Sequence, residues 1–183
     1  MTVTDLELPG VKLIEVRAPA DDRGYFFEAY NRLRYQTAGI ECDFVQDNVS
    51  FSRAGVLRGL HFQHPTGQDK LVQVLDGEIL DVAVDIRQGS PTFGGWVSAV
   101  LSSENRCQLL IPVGFAHGFA VTGDHALVSY KCSAPYVPAD EGTILWNDPD
   151  IGIDWRLAQP ILSTKDQAGV SLGEMPMHRL PRY

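Results

Sequence analysis

Residues Lys70–Ile86 read KLVQVLDGEILDVAVDI. Two apolar runs flank Asp76-Gly77. Asp-Gly suits the positive φ angles of a tight two-residue turn, so the stretch predicts a β-hairpin. In the second run Asp81, Ala83 and Asp85 fall on one face, and Val82, Val84 and Ile86 on the other. That period of two belongs to a strand. Outward from this stretch the pattern recurs. GSPTFGGW is a turn leading into the strand WVSAVLS. RCQLLIPVGFAHGFAV reads as strand, bend at Pro112 and Gly114, then strand. ALVSYKCS is another strand, with Val128 and Tyr130 on one face. Short apolar runs punctuated by turn signals predict an all-β sandwich or barrel. Helix is scarce. FEAYNRLRYQTAG predicts one helix over 28–38. STKDQAG predicts a capped turn, with Ser163 or Thr164 as the cap. The final ten residues, EMPMHRLPRY, read as an irregular tail. With no repeat, low-complexity tract or linker, residues 1–183 are expected to form one domain.

Composition bounds the function. The chain has 183 residues, 44% hydrophobic and 21% charged, which is ordinary for a soluble domain with a real core. The N-terminus MTVTDLELPG lacks the basic start and apolar run of a signal peptide. No apolar run reaches membrane-spanning length. Cys42, Cys107 and Cys132 are widely spaced, with no CxxC pair, which predicts a reducing cytoplasm. A net charge of −8 argues against nonspecific nucleic-acid binding. An anionic ligand would need its own cluster of Arg and Lys against that background.

The chemistry concentrates in GVLRGLHFQHPTGQDK, residues 55–70, where Arg58 and His61 sit in a strand-like frame of Val56, Leu57, Leu60 and Phe62. His61 can bind a metal, move a proton, or merely pack. Regular alternation puts Arg58 and His61 on opposite faces, so Gly59 between them predicts a bulge that re-aims one side chain. Taken singly, His61 also reads as a hydrogen-bonded core histidine, Lys70 as a solvated strand end, Tyr130 as a barrel aromatic and Asp166 as a helix-cap residue. The His61 segment and PVGFAHGF, which carries His117, resemble the two motif regions of the cupin superfamily, small jelly-roll barrels that often hold a metal. The metal-binding pattern is broken here. Position 63 is Gln, His64 faces the other way by alternation, and the nearest downstream glutamate is Glu78. Two ligands fall short of the three or four that a first-row metal takes. No metal is expected, which leaves an imidazole with a pKa near neutrality free for proton transfer.

Six ordered motifs carry a closer resemblance: DDRGYFFE, QDNVSFSRAGVLRGLHFQ, QDKLVQVLDGEILDVAVDIRQGSPTFG, IPVGFAHGF, YKCSAPYVP and DPDIGIDW. Together they resemble the dTDP-4-dehydrorhamnose 3,5-epimerase family, a likeness that covers about residues 10–170. The resemblance implies a cupin-type jelly-roll barrel, the double-stranded β-helix, with a few short helices. It also implies a homodimer with an exchanged N-terminal strand. The implied activity is cofactor-independent inversion of C3 and C5 of dTDP-4-dehydro-6-deoxy-D-glucose. By the same resemblance His61 matches the base, Asp166 its supporting carboxylate, Tyr130 the acid on the opposite face and Lys70 the cation near the ketone oxygen. Arg58 and His117 match sugar-side contacts, and Arg23 matches a phosphate contact to which Lys165 adds charge. Glu28, Gln46, Asn48 and Ser50 match nucleotide-side hydrogen-bonding positions. Tyr136 matches an aromatic near the thymine. Pro135 stands where many members carry an aromatic. Three alternatives stay open on the sequence: an epimerase of one carbon only, a metal-dependent cupin, and a cupin that binds nucleotide sugars without turnover.

Overall fold

Strand formation follows the alternation. In a computed structural model that describes residues 1–183, eleven strands and two short α-helices are laid out along the chain. The strands are β1 (Thr2–Asp5), β2 (Lys12–Glu15), β3 (Ala20–Asp21), β4 (Gly24–Tyr25), β5 (Gln46–Arg53), β6 (Leu57–Gln63), β7 (Lys70–Asp85), β8 (Trp96–Ser102), β9 (Cys107–Ile111), β10 (Phe115–Cys132) and β11 (Glu141–Thr143). The helices are α1 (Arg32–Thr37) and α2 (Thr164–Gln167). All strand pairs are antiparallel, and β3–β4 is a ribbon separate from the main sheet.

Two long strands organise everything else. β7 pairs with β10 from one end to the other. The first part of β7 also pairs with β9 and its second part with β8. The C-terminal part of β10 pairs with β5 and its N-terminal part with β6. One layer is therefore β1, β2, β9, the start of β7, the end of β10, and β5. The facing layer is β8, the end of β7, the start of β10, β6 and β11. Two antiparallel layers that share their central strands form a jelly roll.

The Asp76-Gly77 hairpin expected from the sequence does not form. Both residues lie inside one continuous strand, and Gly77 makes a bulge at φ +84° where the register with β10 shifts. A bulge accentuates local bend and twist, so β7 can leave one layer and enter the other without a turn. A Cβ at Gly77 would lie 1.9 Å from the His125 carbonyl oxygen, which explains why glycine stands there.

The faces sort as alternation requires. Val72, Val74, Ile79, Ala83, Phe119 and Val128 belong to the cluster between the layers. Leu80, Val82, Val84 and Ile86 belong to a second cluster on the outer side, covered by Ile144, Ile151, Trp155, Leu172 and Leu180. Asp148 pins that covering segment, since its Oδ2 accepts from Leu172 N at 2.7 Å. The tail is consequently docked and not irregular: Leu180 is buried, and Gln88 N donates to the Pro181 carbonyl at 2.8 Å. A third cluster, Ile14, Tyr35, Ile40, Leu71 and Leu110, seats α1 on the other outer face. α1 begins at Arg32, later than expected, because Asn31 caps it by accepting from Arg34 N. No helix is long and apolar enough to cross a membrane.

Gly77 and Gly89 both hold positive φ, but a Cβ at Gly89 meets nothing within 4 Å. We expect Gly89→Ala to cost about 1 kcal/mol from backbone strain alone, and Gly77→Ala about 2–4 kcal/mol as overpacking adds to it. Paired urea melts measure the difference. Equal losses would show that the bulge tolerates a side chain.

Candidate active site

The inner faces of the strands converge on one cleft. On β5 the even-numbered residues turn inward, which brings Gln46, Asn48 and Ser50 to it. On β6 the apolar residues Leu57, Leu60 and Phe62 all pack in the outer cluster, although Leu57 and Leu60 are three apart. The strand therefore contains one extra residue. The register with β10 confirms it: His61 lies opposite His117, and Arg58 opposite Phe119. Gly59 supplies the irregularity at φ +118°, where a Cβ would lie 2.6 Å from Gly118 Cα. The bulge expected from the sequence is present, and both Arg58 and His61 line the cleft. Arg58 sits at the rim and donates to Ser52 Oγ at 2.9 Å.

The cleft comprises two adjoining hollows of about 300 and 240 Å³ that share His61, Lys70, Tyr130 and Glu141. At its centre is a histidine–carboxylate pair. His61 Nε2 lies 2.5 Å from Asp166 Oδ1. The pair is set by backbone geometry across a long sequence separation. β11 pairs with β6 so that Thr143 lies opposite His61, and Val170 N donates to the Thr143 carbonyl. That anchors the end of α2 beside β6. Ser163 caps α2, and Asp166 is buried, 2% exposed. With Nε2 directed at the carboxylate, Nδ1 is the ring nitrogen left to act on a ligand.

Opposing effects set the charge of His61. Burial lowers its pKa below the ordinary histidine value, and the hydrogen bond it donates to Asp166 pulls it back up, but Lys165 and Lys70 add to the lowering and the net direction is down. The imidazole is therefore neutral at pH 7. Burial alone would raise Asp166, yet hydrogen bonds from His61 and Ser163 outweigh it and hold the carboxylate below its usual range. Burial depresses the Lys70 ammonium, and the neighbouring Cys132, Asp81 and Glu141 offset this only in part. Lys70 is half-buried and makes no ion pair. The Tyr130 phenol, with its pKa raised first by burial, is protonated at neutral pH. The cleft thus holds a neutral base, a neutral acid and a lysine with no ion-pair partner.

The remaining expected residues divide. His117 is buried in the cleft and bonded to Asp81 Oδ1 at 2.6 Å. Tyr136 stands half-exposed at the mouth, its N donating to Gln46 Oε1 and its hydroxyl to Glu141 Oε2. Lys165 pairs with Glu141 at 2.7 Å. Arg23 and Glu28 are not brought to this cleft. Arg23 pairs with Asp21 on the β3–β4 ribbon, and Glu28 accepts from Asn31 and Arg34. Both lie in a ribbon and loop that the main sheet does not hold. The N-terminal strand is paired in cis, β1 on β2 and β2 on β9 of the same chain. The β3–β4 ribbon stands outside the main sheet, and Phe26, just after it, is 79% exposed. His64 lines a separate surface hollow with Gln88 and Arg182, and no three His, Cys, Asp or Glu side chains gather as metal ligands.

Sequence reasoning missed Asp81 and Glu141. Asp81 carries half a signal: alternation puts it on one face with Ala83 and Asp85, but it joins the face of Lys70 only through the bulge at Gly77 and the pairing with β10. Glu141 carries no local signal; the pairing of β11 with β6 places it.

We expect the His61 ring to titrate below the ordinary histidine pKa in an NMR pH series, and lower still in Asp166→Asn, because the group that raises it loses its charge. An upward shift in the variant would show that burial does not set this histidine's charge.

A family model described as dTDP-4-dehydrorhamnose 3,5-epimerase matches residues 5–174. A dTDP-4-dehydrorhamnose 3,5-epimerase of Neisseria gonorrhoeae is 52% identical over 170 residues; the match covers 92% of this chain and 52% of that protein, so this chain spans about half its length. The enzyme of the same name from Pseudomonas aeruginosa is 50% identical over 176 residues, covering 95% of this chain and 97% of that protein. The crystal structure of dTDP-6-deoxy-D-glucose-3,5-epimerase from Legionella pneumophila, in complex with dTDP-4-keto-L-rhamnose, superposes with a TM-score of 0.97 at 48% identity. That match covers 100% of this chain and 98% of the other.

Proposed function

The chain belongs to the dTDP-4-dehydrorhamnose 3,5-epimerase family, and from that premise we propose how its residues epimerise dTDP-4-dehydro-6-deoxy-D-glucose at C3 and C5. The product is dTDP-4-dehydro-L-rhamnose, on the route to dTDP-L-rhamnose. The observation that carries the reading is the His61–Asp166 pair sharing one cleft with Tyr130 and Lys70.

The C3 and C5 protons are acidified by the C4 ketone but remain far weaker acids than imidazolium. Removing one needs a base and a stabilised enolate together. His61 Nδ1 takes the proton, and Asp166 supports the imidazolium that forms. The electron pair of the broken C–H bond moves into the ring to give an enolate, whose oxygen Lys70 faces. Return of the proton by the same group to the same face would restore the starting configuration. The Tyr130 hydroxyl therefore delivers a proton to the opposite face, and the enolate collapses to the inverted ketone. Solvent resets the imidazolium and the phenolate, and the cycle repeats at the second carbon.

At the nucleotide end Tyr136 stacks on the thymine, worth about 1–3 kcal/mol by analogy with base stacking on aromatics elsewhere. Gln46, Asn48 and Ser50 supply hydrogen bonds beside it, and Arg58 and His117 contact the sugar. Lys165 adds charge for the diphosphate. Arg23 and Glu28 reach the diphosphate end from a second copy: the protein works as a homodimer in which the exposed β3–β4 ribbon completes the neighbour's cleft. Three free cysteines fit a cytoplasmic setting.

In deuterated water, with no metal added, we expect proton NMR of the purified protein with its substrate to show deuterium entering at both C3 and C5. His61→Ala is expected to abolish both exchanges. Tyr130→Phe should slow completed inversion more than proton removal. Exchange at one carbon only would assign a single-centre epimerase, and activity that depends on added metal would overturn the mechanism. For the dimer, Arg23→Ala mixed with His61→Ala is expected to recover activity that neither has alone at low substrate, because the mixed dimer has one intact cleft. No recovery, with mixed dimers demonstrated by mass, would place Arg23 outside the shared site.

A further inference from the structure

Ser163 has a second role beyond capping, and the inference rests on the epimerase reading above. As N-cap of α2, its Oγ accepts from Asp166 N at 3.1 Å. The same hydroxyl donates to Asp166 Oδ2 at 2.7 Å. Asp166 Oδ1 takes His61 Nε2. The two carboxylate oxygens are thereby divided, one to the imidazole and one to the serine. A cap on a four-residue helix has little helix to stabilise. Holding the carboxylate plane is the larger consequence. A free carboxylate can rotate and offer either oxygen; one clamped at Oδ2 and at its own backbone N–H offers Oδ1 alone. We propose that Ser163 is a positioning residue of the reaction, fixing the Asp166 carboxylate so that His61 keeps one tautomer and one orientation with Nδ1 toward the substrate.

The sign of its effect on pH dependence follows from the groups around the imidazole. His61 is faced by Asp166 and Lys165 from α2, Lys70 from β7, Glu141 from β11, and Tyr130 and His117 from β10, with Arg58 on its own strand. Among these, Ser163 touches Asp166 only. Its O–H draws negative charge toward Oδ2. Removing it leaves more charge facing the ring and favours the imidazolium. The acid limb of the kcat profile, where protonated His61 is inactive, then moves to higher pH.

The test measures C3 and C5 deuterium exchange across pH for the full chain and for Ser163→Ala, Ser163→Thr and Gln167→Ala, with an NMR titration of the His61 ring in each. Gln167 lies on the same helix and makes no side-chain hydrogen bond. Ser163→Ala is expected to lower kcat about tenfold with KM within about twofold, and to raise both the acid limb and the ring pKa. Ser163→Thr, which keeps the hydroxyl, should restore all three, and Gln167→Ala should leave them unmoved. Two results overturn the role: an unshifted limb and ring pKa in Ser163→Ala, or the same change in Gln167→Ala, which would mark a general disturbance of α2. A wild-type protein with no exchange would instead overturn the epimerase reading itself, so the two failures are distinct.

Discussion

The end-to-end antiparallel pairing of β7 with β10 is the constraint on which the rest of the molecule depends. Each strand belongs to both layers, so neither layer can form without the other. Every other large strand attaches to one half of this pair. The bulge at Gly77 permits the arrangement, because two straight strands of this length would leave the barrel and expose their inner faces. Those inner faces carry the apolar cluster between the layers and, at one end, the cleft. Core and site are thus two ends of a single alternation pattern. Burial of each Leu, Ile, Val or Phe contributes about 1.5–3 kcal/mol, which holds the polar end in place.

Much of this was legible in the sequence, for identifiable reasons. Alternation in residues 80–86 put Asp81 and Asp85 on one face and the valines on the other; the structure turns the aspartate face inward and packs the valines in the outer cluster. The parity conflict between Arg58 and His61 correctly marked a bulge at Gly59. Asp-Gly at 76–77 misled, because a hairpin turn and an in-strand bulge both need φ > 0 and no local signal separates them. What separates them is pairing with β10, which is not local. The same limit hid Glu141, which reaches the cleft through β11 alone. Asp81 and Asp85 share a face yet differ in setting. Asp85 is held by Arg87, Ser90 and Thr92, whereas Asp81 meets His117. Alternation gives direction and not neighbours.

The electrostatics of the cleft show which effect wins where. The chain carries a net charge of −8, yet the cleft gathers Lys70, Lys165 and Arg58. Asp166 and His61 experience the same contact with opposite outcomes. For the carboxylate, hydrogen bonds overcome burial and the charge stays. For the imidazole, burial and two lysines overcome the carboxylate and the charge is lost. The difference follows from their partners: Asp166 has two donors on its two oxygens, while His61 has one acceptor and two repelling cations. A neutral ring beside a charged carboxylate is the resting state that a base needs. The carboxylate gains most when the ring accepts a proton, so the support acts on the charged state and not on the resting one.

The layered architecture suits inversion chemistry for a geometric reason. His61 lies on β6, in the layer built on the start of β10, whereas Tyr130 and Lys70 lie on the end of β10 and the start of β7, in the facing layer. Groups on one sheet would all approach a flat ring from one side. Groups on two sheets facing across an interior approach from both. The crossing of β7 and β10 between layers, which the bulges allow, is therefore what can put a base and an acid on opposite faces of one sugar. Moving either residue along its strand by one position would turn it out of the interior, and moving it by two would shift it by roughly 6–7 Å along the strand. Proton transfer needs heavy-atom separations of about 2.6–3.2 Å. The strand register, more than any single side chain, sets the tolerance of the proposed reaction.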